Sequence, residues 1–184
     1  MRKLSVFNNV SLDGYFTDSK SDMSWAHRDD PEWREFASGN ASGDTMLMLG
    51  RKTYDQMAGF WTTPMALETM PLVAKGMKAL PKMVFSRTME RASWNNTQLV
   101  KNDIVAEVRN LKNKPGPDIT ILGSGSIVAQ LATEGLIDTF QFAVIPIVLG
   151  SGRTLFEGVK EKIPLKLTNS RAFSNGNIVL WYQS

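Results

Sequence analysis

The residues best placed to do chemistry in this chain are Gly50-Arg51-Lys52-Thr53, which come directly after the apolar run Met46-Leu47-Met48-Leu49. A short apolar run that stops at glycine reads as a buried strand, and the residues beyond the glycine have the composition of a helix start. The first turn of a helix leaves N–H groups unpaired at the positive end of its dipole, so an anion placed there meets donors that need partners. Arg51 and Lys52 add full charges and Thr53 adds a hydroxyl, although two cations at a helix start also serve simply as solvation. A second such place is Ser86-Arg87-Thr88, after Lys82-Met83-Val84-Phe85. A third is Gly123-Ser124-Gly125-Ser126, after Asp118-Ile119-Thr120-Ile121-Leu122. If the fold sets these three strand ends side by side, they form one anion-binding edge; if not, they are ordinary tight turns.

Gly123-x-Gly125 is the first half of a dinucleotide fingerprint. Position 128 is Val, and no acid stands in a suitable strand about 20 residues on, so that fingerprint fails in detail. Its physical basis survives, because a backbone without Cβ can approach a pyrophosphate closely. Arg51 and Arg87 are the candidates for an adenosine 2′-phosphate, since a guanidinium offers phosphate a planar fork. Two such arginines after two strands favour NADPH over NADH.

Composition narrows the field. The chain of 184 residues suits one domain, 1–184, with a sizeable core. With no cysteine there is no thiol catalysis, disulfide or thiolate metal site, and the single histidine, His27, excludes a multi-histidine metal site. The net charge of +3 is spread among acids without a basic stripe, which speaks for a small anionic ligand and against nucleic acid. No apolar run is long enough to span a bilayer, and Met1–Phe7 reads as a first strand and not as a signal peptide, so no membrane partner and a cytoplasmic location are expected.

The elements that must carry these residues can be read from pattern. Leu4 to Leu12 is a strand running into the turn Asp13-Gly14, and Thr17 to Asp22 is an exposed loop. Asp30-Pro31-Glu32 starts a helix that fades by Gly39. The strand Thr45 to Leu49 leads into a helix through Met57. Pro71 and Gly76 break the stretch from Pro64 to Leu80 into one interrupted helix or two short ones. Strands are expected at Lys82 to Phe85, Thr97 to Lys101 and Asp118 to Leu122. Asn102 or Asp103 caps a helix bearing Ile104, Val105, Val108 and Leu111 on one face, and Ile127, Val128 and Leu131 define another that Gly135 ends. Thr139 to Leu149 is a central strand with a bulge or edge at Pro146, and Gly150 to Arg153 is a loop after it. Leu165 to Phe173 and Asn177 to Tyr182 make a hairpin across Ser174-Asn175-Gly176. The whole is an α/β domain with a mostly parallel sheet and an antiparallel edge, whose ligands belong at the carboxyl ends of the strands.

Taken in order, Val10-Ser11-Leu12-Asp13-Gly14-Tyr15, Gly50-Arg51-Lys52-Thr53-Tyr54, Val84-Phe85-Ser86-Arg87, Gly123-Ser124-Gly125-Ser126 and Pro146-Ile147-Val148-Leu149-Gly150-Ser151-Gly152 resemble dihydrofolate reductase-like proteins. The closer resemblance is to the branch with the reductase domain of bacterial riboflavin biosynthesis, and it covers nearly the whole chain. It implies a three-layer α/β sandwich and NADPH held by Gly50, Arg51, Lys52 and Thr53, by Ser86 and Arg87, and by Gly123, Ser124, Gly125, Ser126 and Ile127. Nicotinamide would lie near Gly14, and a homodimer is expected because members of the branch are often dimers.

On the substrate side the resemblance implies Asp13, from Ser-Leu-Asp-Gly, and Asp30, which stands after Trp25 as a pterin-binding acid does. Each also reads as local structure, Asp13 as a turn acid and Asp30 as a helix cap. A carboxyl in a Trp-lined pocket would have a raised pKa, which makes Asp13 and Asp30 the candidate proton donors. His27 relays a proton or, as the favoured alternative, binds a nearby carboxylate. The expected activity is hydride transfer from NADPH to a flat heterocycle, a pterin or a pyrimidine. The rival expectation is a binding protein that keeps the fold and turns nothing over. The one loop that could seat a second phosphate, such as a substrate's ribosyl phosphate, is Ser151-Gly152-Arg153.

Overall fold

A computed structural model of the protein describes residues 1–27 and 30–184. The strands are β1 (Leu4–Ser11), β2 (Thr17–Asp18), β3 (Thr45–Gly50), β4 (Lys82–Phe85), β5 (Thr97–Val100), β6 (Asp118–Leu122), β7 (Thr139–Ile145), β8 (Gly152–Arg153), β9 (Lys166–Ala172) and β10 (Ile178–Gln183). The helices are α1 (Pro31–Ser42), α2 (Arg51–Trp61), α3 (Pro64–Thr69), α4 (Pro71–Ala79), α5 (Ile104–Lys112) and α6 (Gly125–Thr133). Eight strands form one sheet in the order β5-β4-β3-β6-β1-β7-β10-β9, parallel through β7 and antiparallel at β10 and β9. The two-residue strands β2 and β8 pair with each other apart from it.

Alternation within β3 shows why the sheet is covered on both faces. Met46 and Met48 pack with Ile127, Val128 and Leu131 of α6 and Val108 of α5, whereas Leu47 and Leu49 pack with Tyr54 of α2 and Val73 and Met77 of α4. Because successive side chains of a strand point to opposite faces, a strand buried on both sides must be apolar at every position. Burial of each such side chain stabilises the fold by about 2 kcal/mol. α1 covers the remaining part of one face, where Trp33 and Phe36 pack among Phe7, Ala143, Ile145, Phe173 and Val179. The result is the three-layer sandwich with a C-terminal antiparallel hairpin that the sequence leads one to expect.

The ends of α1, α2 and β7 differ from expectation, whereas the break at Pro71 and the hairpin turn fall where the sequence put them. α1 runs past Gly39 to Ser42 because Ala41 is buried and the helix packs closely on Gly76 of α4. α2 continues past Met57 to Trp61, and the break at Pro71 gives two helices, α3 and α4. β7 stops at Ile145, since Pro146 has no N–H to give the ladder. The hairpin turns through Ser174-Asn175-Gly176, with Gly176 at φ +87°, the left-handed residue that a three-residue loop requires.

Candidate cofactor groove

Neighbouring strands β3 and β6 send their chains in opposite directions. After β3 the chain moves through α2–α4 to β4, and after β6 it moves through α6 to β7, beyond β1. Right-handed crossovers in opposite directions put α2 and α6 on opposite faces and open a crevice between them at the strands' carboxyl ends. A groove of about 320 Å³ lies there, lined by Gly50–Thr53 and Gln56 from one side, Ser124–Ser126 from the other, and Phe16, Thr17, Ser21 and Arg153 across the top. Two of the three loops singled out in the sequence therefore meet. Ser86 and Arg87 stand at the end of β4, one strand further out and beyond this lining.

The two loops are stitched by hydroxyls. The Ser124 N–H donates to Thr53 Oγ1 (3.1 Å), Ser124 Oγ donates to the Leu122 carbonyl (2.8 Å), and it accepts from the Gly50 N–H (2.8 Å). The Thr53 hydroxyl still has a hydrogen to give a ligand. Gly123 and Ser124 both adopt the left-handed conformation, at φ +55° and +58°. A Cβ on Gly123 would come 2.8 Å from the Thr53 side chain, and one on Gly125 would come 2.9 Å from the Phe16 ring. The glycines are thus explained first by close packing of the loops, and that packing brings backbone N–H groups to the floor of the groove.

Neither helix that opens on the groove, α2 or α6, has a side-chain cap, so N–H groups of their first turns are open to a ligand; α1, α3 and α5 are capped by Asp30, Thr63 and Asp103, and α4, away from the groove, is also uncapped. Arg51 and Lys52 are exposed, and among the described residues neither they nor Arg87 and Arg153 form an ion pair. The Thr17 hydroxyl adds a further sign. The residue is only 6% exposed, and its Oγ1 has no hydrogen-bond partner among the described residues. The oxygen itself is sealed from solvent, so it would reach a bound oxyanion only after a small shift of the β2–β8 pair. The donor set therefore suits a dinucleotide's phosphates.

The carboxyls behave differently from expectation. Asp13 accepts from Ser11 Oγ (2.6 Å), the Leu149 N–H (3.1 Å) and the Gly150 N–H (2.7 Å), and these bonds, the Ser11 hydroxyl foremost, hold its pKa down to about 2. Asp30 caps α1 through the Trp33 N–H (2.8 Å) and accepts from Ser174 Oγ (2.8 Å), which lowers its pKa as well. Both shifts run opposite to the elevation a proton donor needs, because the hydrogen bonds favour the charged form. The two acids are also tied to different loops. Trp25 packs in the α1 cluster, its indole N–H donating to the Asp22 carbonyl (3.1 Å). His27 stacks on Phe60, with ring centroids 6.4 Å apart, and forms no ion pair among the described residues. Gly14, at φ +88°, makes the turn that returns the chain from β1 to β2.

Sequence reasoning passed over Thr17, Ser21, Gln56 and Phe16, and read Arg153 as part of a separate loop. The available signal was Gly150-Ser151-Gly152-Arg153, a glycine-and-hydroxyl segment ending in a cation like the other two.

Comparison with known proteins agrees with this architecture. The family model of the RibD C-terminal domain matches residues 2–179. YyaP, an uncharacterized protein of Bacillus subtilis (strain 168), is 33% identical over 182 residues, covering 98% of this chain and 94% of its own. A solved structure of a putative riboflavin biosynthesis protein from Shewanella sp. PV-4 is similar with a TM-score of 0.75 at 22% identity, over 98% of each chain. A diaminohydroxyphosphoribosylaminopyrimidine deaminase/5-amino-6-(5-phosphoribosylamino)uracil reductase from Thermotoga maritima is similar with a TM-score of 0.69 at 14% identity. That match covers 99% of this chain and 56% of the other, so this chain spans little more than half of that protein. At such identities the two structures speak for a shared fold.

Proposed function

This chain belongs to the family of the RibD C-terminal domain, and from that premise we propose that it is an NADPH-dependent reductase acting on a small flat heterocycle of the pterin or pyrimidine class. The observation that carries the reading is the groove at the β3/β6 switch point, where two uncapped helix N-termini converge with three cations that form no ion pair among the described residues. When bound, NADPH supplies a hydride. The chain's own part is to bind and orient. The N–H groups of Arg51–Thr53 and Gly125–Ser126 hold the pyrophosphate with Lys52, and Arg51 and Arg87 take the 2′-phosphate. Fixing both reactants at the carboxyl edge replaces a bimolecular encounter with a positioned one.

Asp13 and Asp30 act in this reading as ionised hydrogen-bond acceptors and loop anchors, and their lowered pKa values speak against either as the proton donor. The pyrimidine class has the added support that the Thermotoga maritima protein of similar fold is described as a 5-amino-6-(5-phosphoribosylamino)uracil reductase.

The lack of an elevated acid among the described site residues favours a second reading, a protein that binds the nucleotide and turns nothing over. Following NADPH oxidation with a panel of oxidised pterins and aminopyrimidines, with and without a ribosyl phosphate, separates the two. Turnover of one class supports the reductase. Saturable NADPH binding with no turnover across the panel supports the binder and overturns the reductase.

A further inference from the structure

Arg153 sits on β8, a strand of two residues that pairs with β2 and belongs to no regular layer. The register sets Thr17 opposite Arg153, and the Phe16 N–H donates to the Arg153 carbonyl (2.9 Å). The strap is pressed onto the end of α6. Phe16 is 5% exposed and lies against Gly125, and Gly152 backs so closely onto Thr17 that a Cβ there would strike the Thr17 carbonyl. What the strap presents to the groove is the exposed guanidinium of Arg153, beside Thr17, whose hydroxyl lies just under the surface; neither has a side-chain partner among the described residues. A cation and an idle donor on one wall, facing Arg51 and Lys52 on the other, complete a cradle for a phosphate-type anion.

The segment that delivers Arg153, residues 146–151, has no regular structure, and Val148 at its middle is exposed. What pins it is the turn after β1. The Leu12 N–H donates to the Ile147 carbonyl (2.8 Å), and the Asp13 carboxylate receives the N–H groups of both Leu149 and Gly150. Asp13 is thereby connected through a short run of chain to Arg153.

We propose that Arg153, with Thr17, forms the third wall of the anion groove, and that Asp13 is a positioning residue that holds Arg153 there through the 149–153 segment. Ser151-Gly152-Arg153 is then part of the cofactor's seat and not a separate one. This rests on the cofactor reading of the groove, and the test separates the two.

Titration calorimetry with NADPH, and separately with inorganic pyrophosphate, is applied to the wild-type chain and to Arg51→Gln, Arg153→Gln, Arg153→Lys, Asp13→Asn and the double variant Asp13→Asn/Arg153→Gln. Loss of one charge-assisted contact weakens binding by about tenfold. The expected result is about a tenfold loss for Arg153→Gln, partial retention for Arg153→Lys, and a smaller loss for Asp13→Asn. The double variant should be no weaker than Arg153→Gln alone, because a residue that acts only through Arg153 has nothing further to lose. Normal affinity in Arg153→Gln alongside weakened Arg51→Gln overturns the proposal and leaves the cofactor reading standing. Additive losses in the double variant overturn the positioning role of Asp13. Absence of binding to the wild-type chain overturns both.

Discussion

The two ends of the parallel sheet use the same kinds of side chain for opposite purposes. At the amino end three cations, Arg2, Lys82 and Lys112, are buried and satisfied, although Lys3 beside them is exposed. Lys82 is 2% exposed and gives its ammonium to the Met77 (2.7 Å) and Leu80 (2.6 Å) carbonyls beneath the Trp94 ring. Lys112 bonds the Leu136 carbonyl (2.9 Å) and Asp138, and Arg2 donates to the Pro117 carbonyl. At the carboxyl end Arg51, Lys52, Arg87 and Arg153 are exposed and form no ion pair among the described residues. The helix ends show the same division. Lys82 of β4 takes up carbonyls left open at the end of α4, whereas α2 and α6 begin at the groove without side-chain caps. The buried cations hold the chain's own carbonyls; those at the groove stand where an anion would meet them together.

If that division is real, variants at the two ends should separate stability from binding. The largest effect is expected where both meet, at Gly123. Gly123→Ala forces an alanine into φ +55° and drives its Cβ against Thr53, costing about 2 kcal/mol of stability and removing detectable NADPH binding. Thermal unfolding and calorimetry read the two losses together. At the amino end Lys82→Met leaves the Met77 and Leu80 carbonyls without their donor, and a loss of about 2 kcal/mol is expected with an unchanged Kd for NADPH. A shifted Kd there would blur the comparison. Burial alone pushes the Lys82 pKa down to about 8, but the surrounding carbonyls favour the charged form that the geometry implies.

Thr17→Val offers a finer test. Removing an orphaned buried hydroxyl should raise the stability of the free protein by about 1 kcal/mol while weakening NADPH severalfold, the opposite signs that a ligand-facing group requires. The smallest expected effect is the pH response of Asp13. Its folded pKa of about 2 lies below the ordinary 3.8, so its contribution is fully present above about pH 4 and is lost as pH falls toward 2. The difference in melting temperature between the wild-type chain and Asp13→Asn should therefore shrink across that window and stay constant above it.

Much of this was legible in the sequence because it is local. The apolar run ending in Gly50-Arg51-Lys52-Thr53 and the pair Gly123, Gly125 announce strand ends and helix starts by composition, and Gly50–Thr53 and Ser124–Ser126 line the groove. Short continuous apolar runs likewise announce the strands buried on both faces. What escaped depends on pairing at a distance. Nothing periodic marks β2 and β8, which exist only because residues 17–18 and 152–153 meet, so Arg153 could not be assigned to the groove from its neighbours. The lowered pKa values of Asp13 and Asp30 escaped only in part for that reason: the Leu149, Gly150 and Ser174 donors lie more than a hundred residues away, but the largest causes, the Ser11 hydroxyl and the Trp33 N–H, are local and were outweighed by the expectation of a Trp-lined pocket. Gly39 suggested a helix end, yet packing against α4 outweighs its low helix propensity.

The most direct test of the account is a paired titration of the wild-type chain with NADPH and NADH, monitored by quenching of its tryptophan fluorescence. Saturable binding of NADPH, at least about tenfold tighter than NADH and weakened in Arg51→Gln, is the predicted result. Equal affinity for the two would contradict the 2′-phosphate role of Arg51 and Arg87, and no binding of either would contradict the claim that the unpaired cations at the carboxyl end await a dinucleotide.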